Sequence, residues 1–142
     1  VHYDEGLFVG YRHFDAADAE PTYPFGHGHS YATFEYGAVD AVDDQTVSVA
    51  VENVADRPGR EVVQAYVRPP DVAGVERPDR EFAAFEPVRL DAGERRTVTL
   101  TLDDLALSRY DTDGGWTVDS GTYTVEVGRS SRDVRATATL ER

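Results

Sequence analysis

From about residue 33 onward, apolar and polar side chains alternate with a period of two, the pattern of strands buried on one face. Val47, Val49 and Val51 fall on one side of a strand, with Ser48, Ala50 and Glu52 on the other. Val63, Ala65 and Val67 repeat the pattern, with Gln64, Tyr66 and Arg68 opposite. The cleanest case is Val98, Leu100 and Leu102 against Thr97, Thr99 and Thr101. Tyr123, Val125 and Val127 give a further strand, and Val134, Ala136, Ala138 and Leu140 the last; Phe34, Tyr36, Phe82, Phe85 and Val88 are expected to add the large core side chains. Turns are expected at Asp56-Arg57-Pro58-Gly59, Asp91-Ala92-Gly93-Glu94, Asp113-Gly114-Gly115 and Asp119-Ser120-Gly121, where Gly can take positive φ or Pro has φ preset. The Asp113-Gly114 pair predicts a two-residue hairpin, and only Asp103 to Tyr110 suggests a helical turn. About seven strands and almost no helix predict an all-β fold, an antiparallel β-sandwich of immunoglobulin-like type.

Residues 1–32 follow a different rule. They are rich in Gly, Pro, Tyr, Phe and His without a sustained helical period, and Pro21, Pro24, Gly26 and Gly28 interrupt any regular element. The expectation is an extended N-terminal arm, 1–32, followed by a sandwich domain, 33–142. Phe8, Tyr11, Phe14, Tyr23, Phe25 and Tyr31 need cover, so the arm must lie against the flank of the sandwich or against a neighbouring domain, with part of it left as a sticky surface when the chain is alone.

At 142 residues the chain is long enough to bury one core of ordinary size but too short for two full domains. It has no Cys, which leaves neither a disulfide framework nor a Cys-based zinc site. No apolar run approaches the roughly 20 residues of a membrane helix, and the first residues do not have the pattern of a signal peptide. Acidic residues outnumber basic ones 27 to 14, for a net charge of −13, and every basic residue is Arg. Such a surface repels phosphate backbones and anionic membranes, which argues against nucleic acid and membrane partners. It also suits high salt, where the Debye length shrinks to about 3 Å at 1 M and self-repulsion is screened. A high-salt cytoplasm is expected ahead of secretion.

The opening run Tyr3-Asp4-Glu5-Gly6-Leu7-Phe8-Val9-Gly10-Tyr11-Arg12-His13-Phe14-Asp15 and the later Tyr23-Pro24-Phe25-Gly26-His27-Gly28-His29-Ser30-Tyr31 resemble the junction at which family 3 glycoside hydrolases, the β-glucosidases and their relatives, pass from their second domain into a fibronectin type III-like domain. Further elements follow in the family's order: Val51-Glu52-Asn53-Val54, Gly59-Arg60-Glu61-Val62-Val63-Gln64-Ala65-Tyr66-Val67, Arg77-Pro78, Leu90-Asp91-Ala92-Gly93-Glu94, Trp116 through Tyr123, and Val127-Gly128-Arg129-Ser130-Ser131-Arg132-Asp133. The chain departs from the family at His29, where the pattern has an apolar Leu, and at Ala84, where it has a Gly. The resemblance implies a parent enzyme that hydrolyses glycosidic bonds with retention, using two carboxylates roughly 5 Å apart. It also implies that the nucleophilic Asp and the acid/base Glu both lie upstream of the opening run. No carboxylate of this chain matches either position, so the expected catalytic, cofactor and metal residues are none. The expected partners are the catalytic domains of the parent hydrolase, with oligo- or polysaccharide second. A free-standing carbohydrate-binding module and a structural surface module are the alternatives.

Several residues invite chemistry and are weighed against ordinary roles. Glu5 lacks a second carboxylate at catalytic spacing and is expected to pair with an Arg such as Arg12 or to cap backbone groups where the domains meet. His27 and His29 share a strand face, with His13 near in sequence, but no third ligand follows and packing is expected. Asp111-Thr112-Asp113-Gly114-Gly115 resembles a calcium loop without its sixth-position Gly and closing Glu, and is read as a solvated hairpin. Trp116, Tyr110 and Tyr66 form a candidate sugar-stacking platform, with core or hairpin anchoring the expected role. Gly26 and Gly28 lack the strand-to-helix context of a nucleotide loop, and Asn53-Val54-Ala55 is not a glycosylation acceptor.

Overall fold

The alternating segments form strands of two facing sheets. A computed structural model describes Asp4, residues 6–102 and residues 104–142; Glu5 and Asp103 lie outside the described residues. The strands are β1 Phe34–Ala41, β2 Thr46–Asn53, β3 Gly59–Arg68, β4 Glu81–Leu90, β5 Arg95–Thr101, β6 Ser108–Asp111, β7 Gly115–Val118, β8 Thr122–Ser130 and β9 Asp133–Glu141. One sheet has the order β1-β2-β5 and the other β4-β3-β8-β9, with β6-β7 a separate hairpin. All the pairings are antiparallel. A bulge between Tyr36 and Val39 lets Phe34 and Val39 both enter the core although they are five residues apart.

The core sits between the sheets. Val47, Val49, Val51, Val98, Leu100 and Leu102 from one side meet Val63, Ala65, Val67, Val88, Leu90, Tyr123, Val125, Val127 and Leu140 from the other. Each fully buried Val or Leu contributes roughly 1.5–3 kcal/mol of transfer free energy, so the alternation dictates which faces meet. The all-β expectation holds. Phe85 does not join the core: midway along β4, it is 58% exposed. Phe82, half-buried, is also on the outside, against Tyr66.

Three local expectations change. The arm carries a short helix, α1 Tyr11–Ala16, because the chain breakers begin only at Pro21 and leave room for one helical segment between Gly10 and Asp18, both at positive φ. The expected helical turn is α2 Asp104–Leu107, after which the chain becomes β6. The β6-β7 loop is one residue longer than the Asp113-Gly114 pair predicts, running from Thr112 to Gly114, since Gly115, at φ 81°, pairs with Asp111.

Candidate functional site

The outer face of the β4-β3-β8-β9 sheet reads as polar in sequence, yet Gln64 and Tyr66 are buried there. The arm covers them. The Tyr11 ring lies 5.0 Å from Phe25 and 6.2 Å from Tyr66, and Phe82 lies 5.4 Å from Phe25 and 5.6 Å from Tyr66. These contacts set Tyr11 and Phe25 of the arm against Tyr66 and Phe82 of the sheet, in tilted and edge-on geometries. Burial, reinforced by the neighbouring Tyr11, pushes the Tyr66 phenol above its ordinary pKa.

Polar groups lock the same contact. The Tyr66 hydroxyl donates to Gln64 Oε1 at 2.7 Å, while Gln64 Nε2 donates to the carbonyls of Gly26 at 3.0 Å and Arg129 at 2.6 Å. Ser131 N donates to the Phe25 carbonyl at 2.9 Å. Gly26 is needed here on two counts: its φ is 80°, and a Cβ would meet Gln64 Oε1 at 1.9 Å. The Tyr11 hydroxyl accepts from the Phe82 amide at 2.8 Å.

Charge completes the joint. Asp15 on α1 has a side chain only 4% exposed and ion-pairs with Arg80 at 3.2 Å and Arg132 at 3.1 Å. Arg80 also pairs with Glu126 at 3.0 Å, and Glu126 with Arg68 at 2.6 Å. Arg132 Nη2 donates to the carbonyls of Phe14 and Ala19 at 3.0 and 3.1 Å, and Arg12 pairs with Glu81 at 3.0 Å. Buried charges persist when each has an opposite partner and backbone acceptors. Asp15 of the opening run and Arg132 of the Ser130-Ser131-Arg132-Asp133 element, far apart in sequence, are thus two halves of one clamp.

On its outward side the arm leaves Leu7, Val9, Tyr23, Phe25 and Tyr31 exposed, Tyr31 almost wholly so. A recess of about 250 Å³ opens beside them, lined by Tyr11, Phe14, Pro21, Tyr23, Phe25 and Arg132. A second exposed aromatic group lies on the β6-β7 hairpin, where Tyr110 and Trp116 pack edge to face at 5.6 Å, both more than half exposed. Tyr66 lies beneath the arm, so it is not part of that platform. The hairpin is braced at its base: Arg109 Nε donates to Asp119 at 2.9 Å, Arg77 Nη1 donates to Asp119 at 3.2 Å, and Arg109 Nη1 donates to Asp111 at 2.8 Å. Hydrogen bonds from Arg109, aided by Arg77 and opposed by burial, hold the Asp119 carboxyl below the usual carboxylate range. Asp111 is committed to Arg109 and to the Asp113 amide, which makes the acidic loop a braced hairpin. Glu5, the remaining carboxylate candidate, lies outside the described residues.

His27 and His29 do come together, Nε2 to Nε2 at 3.4 Å on the surface, while His13 packs against Phe14 on α1. Sequence reasoning missed the role of Asn53. Fully buried, its amide donates to the carbonyls of Arg57, Leu90 and Asp91, and its Oδ1 accepts from Ala55 N, joining two turns. The signal was present in the Val51-Glu52-Asn53 element, since a polar residue closing an apolar strand needs partners when buried.

The described family of fibronectin type III-like domains matches residues 61–131, the span that carries Glu61, Gln64 and Tyr66 of β3 and Arg129 and Ser131 beside the arm. The chain belongs to the fibronectin type III-like domain family. This fibronectin type III-like domain is 48% identical to a thermostable β-glucosidase B of Acetivibrio thermocellus, across 94% of this chain and 19% of that protein. It is 43% identical to an exo-α-(1→6)-L-arabinopyranosidase of Bifidobacterium breve, across 99% of this chain and again 19% of the relative. Among solved structures it superposes on a family 3 β-glucosidase of Bifidobacterium adolescentis with a TM-score of 0.90 and 42% identity, covering 98% of this chain and 21% of that one. The chain spans about a fifth of the length of the curated relatives it matches.

Proposed function

We propose that this fibronectin type III-like domain is the C-terminal, non-catalytic portion of a family 3 glycoside hydrolase of β-glucosidase type, and that it stabilises the catalytic domains by packing against them. The carrying observation is coverage: almost the whole chain, arm included, matches one stretch of enzymes about five times its length. Residues 1–32 act as the joint with the preceding domain and residues 33–142 as the sandwich. The joint has two sides. Its inner side is clamped to β3 and β4 through Tyr11 and Phe25 and to Arg80 and Arg132 through Asp15, and its outer side offers Leu7, Val9, Tyr23 and Tyr31 to the catalytic domains.

The chemistry belongs to those domains, where one carboxylate attacks the anomeric carbon and a second, about 5 Å away, protonates the leaving oxygen and later activates water. This chain supplies neither group. A β-glucosidase and an arabinopyranosidase carry a similar segment, which supports a role independent of sugar identity. The acidic, Lys-free surface further supports a parent adapted to high salt.

The purified chain is expected to leave an aryl β-glucoside uncleaved. Hydrolysis at an enzyme-like rate, lost on substitution of a carboxylate within the chain, overturns this assignment. A second reading rests on Tyr110 and Trp116, exposed on a braced hairpin: they help hold oligo- or polysaccharide by stacking on sugar rings. Titration with β-glucan oligosaccharides should then perturb Trp116 fluorescence, and an unchanged spectrum at saturating sugar rejects that role.

A further inference from the structure

His27 and His29 stand at the exposed corner where the arm turns toward β1. His27 N donates to the Pro24 carbonyl at 3.0 Å, closing a turn with Gly26 at positive φ, and the His27 ring lies 5.5 Å from that of Tyr23. Three residues after His29, the chain re-enters the core at Ala32. Both ends of the corner are therefore fixed, and the two imidazoles are held with their planes 86° apart and their Nε2 atoms 3.4 Å apart.

That separation holds a long hydrogen bond between the two rings, beyond the roughly 2.7–3.2 Å of an ordinary N–H bond. It is the spacing that two ligands of one tetrahedral ion adopt, because imidazole–zinc bonds of about 2.0–2.1 Å at the tetrahedral angle place the donor atoms about 3.3–3.4 Å apart. We infer that His27 and His29 form a two-point site for a divalent cation of the late first transition row, such as Zn²⁺ or Cu²⁺, with solvent filling the remaining positions.

Among the described residues no third His, Asp or Glu joins the pair as a ligand, so the site is open. Imidazole is a suitable donor for both ions, with Cu²⁺ the tighter by the general order of affinities. Asp133 lines the same recess, of about 340 Å³, and its charge is shared with Arg135. Arg129, also in the lining, is ion-paired with Glu61 at 2.8 Å, which blunts its repulsion of a cation. The net charge of −13 concentrates cations at the surface as a whole. A bound ion ties residue 27 to residue 29 and stiffens the corner through which the arm enters the sandwich.

The test is calorimetric titration of Zn²⁺ into the metal-free chain, alongside His27→Asn, His29→Asn, the double variant and His13→Asn. The expected result is one ion per chain, binding weakened by about tenfold or more in each single variant of the pair and unchanged in His13→Asn. Thermal melts should show Zn²⁺ raising the Tm of the unaltered chain but not that of the double variant. Equal binding by the unaltered chain and the double variant, as a diffuse carboxylate surface gives, overturns the site, as does the absence of heat up to millimolar Zn²⁺.

Discussion

Asn53 shows how one side chain can hold two turns. Removing it leaves the carbonyls of Arg57, Leu90 and Asp91 without their shared donor, so Asn53→Ala should lower stability by about 3 kcal/mol, measured by urea denaturation. Two carboxylates make opposite contributions to the pH dependence. The folded-state pKa of Asp119 is depressed by Arg109, so its stabilisation is present above the unfolded carboxylate value and lost as pH falls through the folded one. Asp119→Asn should therefore lower Tm at neutral pH and flatten the acid limb of a Tm-against-pH curve. The folded-state pKa of Glu61 is raised by burial, against the pull of Arg129. Its contribution is most favourable below the unfolded value and is lost as pH rises through the folded one, so Glu61→Gln should remove that fall on the alkaline side of the carboxylate range. At this scale the sequence shows the residues but not their partners: nothing local ties Asp119 to Arg77, or Asp15 to Arg132, because those distances exist only after folding.

Among the elements, the strands of the sandwich were legible because burial on one face leaves a period of two, as in β2 and β5. On β3 that period misleads. Gln64 and Tyr66 alternate with Val63, Ala65 and Val67 as a solvated face would, yet both are buried, because a second layer, the arm, covers them. Alternation reports the difference between two faces; it cannot report that an aperiodic segment covers the second one. Phe85 was misplaced for the related reason that apolarity alone does not choose between inner and outer faces of β4. The arm's own cover was legible from its aromatic content, whereas α1 was too short to leave a helical period. If Asp15 is the centre of the clamp, Asp15→Ala should cost about 3 kcal/mol by removing the buried carboxylate that Arg80 and Arg132 share. It should also raise amide hydrogen exchange in residues 11–31 well before exchange rises in β2 or β5; uniform loss of protection contradicts a local clamp.

For the whole molecule, net charge and the exposed arm govern behaviour more than any single contact. Self-repulsion among 27 carboxylates is relieved as salt shortens the screening length to about 3 Å at 1 M, so Tm should climb with KCl toward the molar range, and a Tm indifferent to KCl contradicts adaptation to high salt. The overall fold and the kinship with glycoside hydrolases were legible from ordered elements along the entire chain. The joint between arm and sheet was legible only as a set of unexplained residue identities, Asp15, Gly26, Gln64, Tyr66 and Arg132, until folding brought them together. The most direct measurement replaces the matching segment of the Acetivibrio thermocellus β-glucosidase with this chain and compares kcat/KM on an aryl glucoside with that of the enzyme lacking the segment. A supporting domain predicts activity restored to within about tenfold of the unaltered enzyme, and a folded, soluble chimera no more active than the truncated enzyme contradicts it.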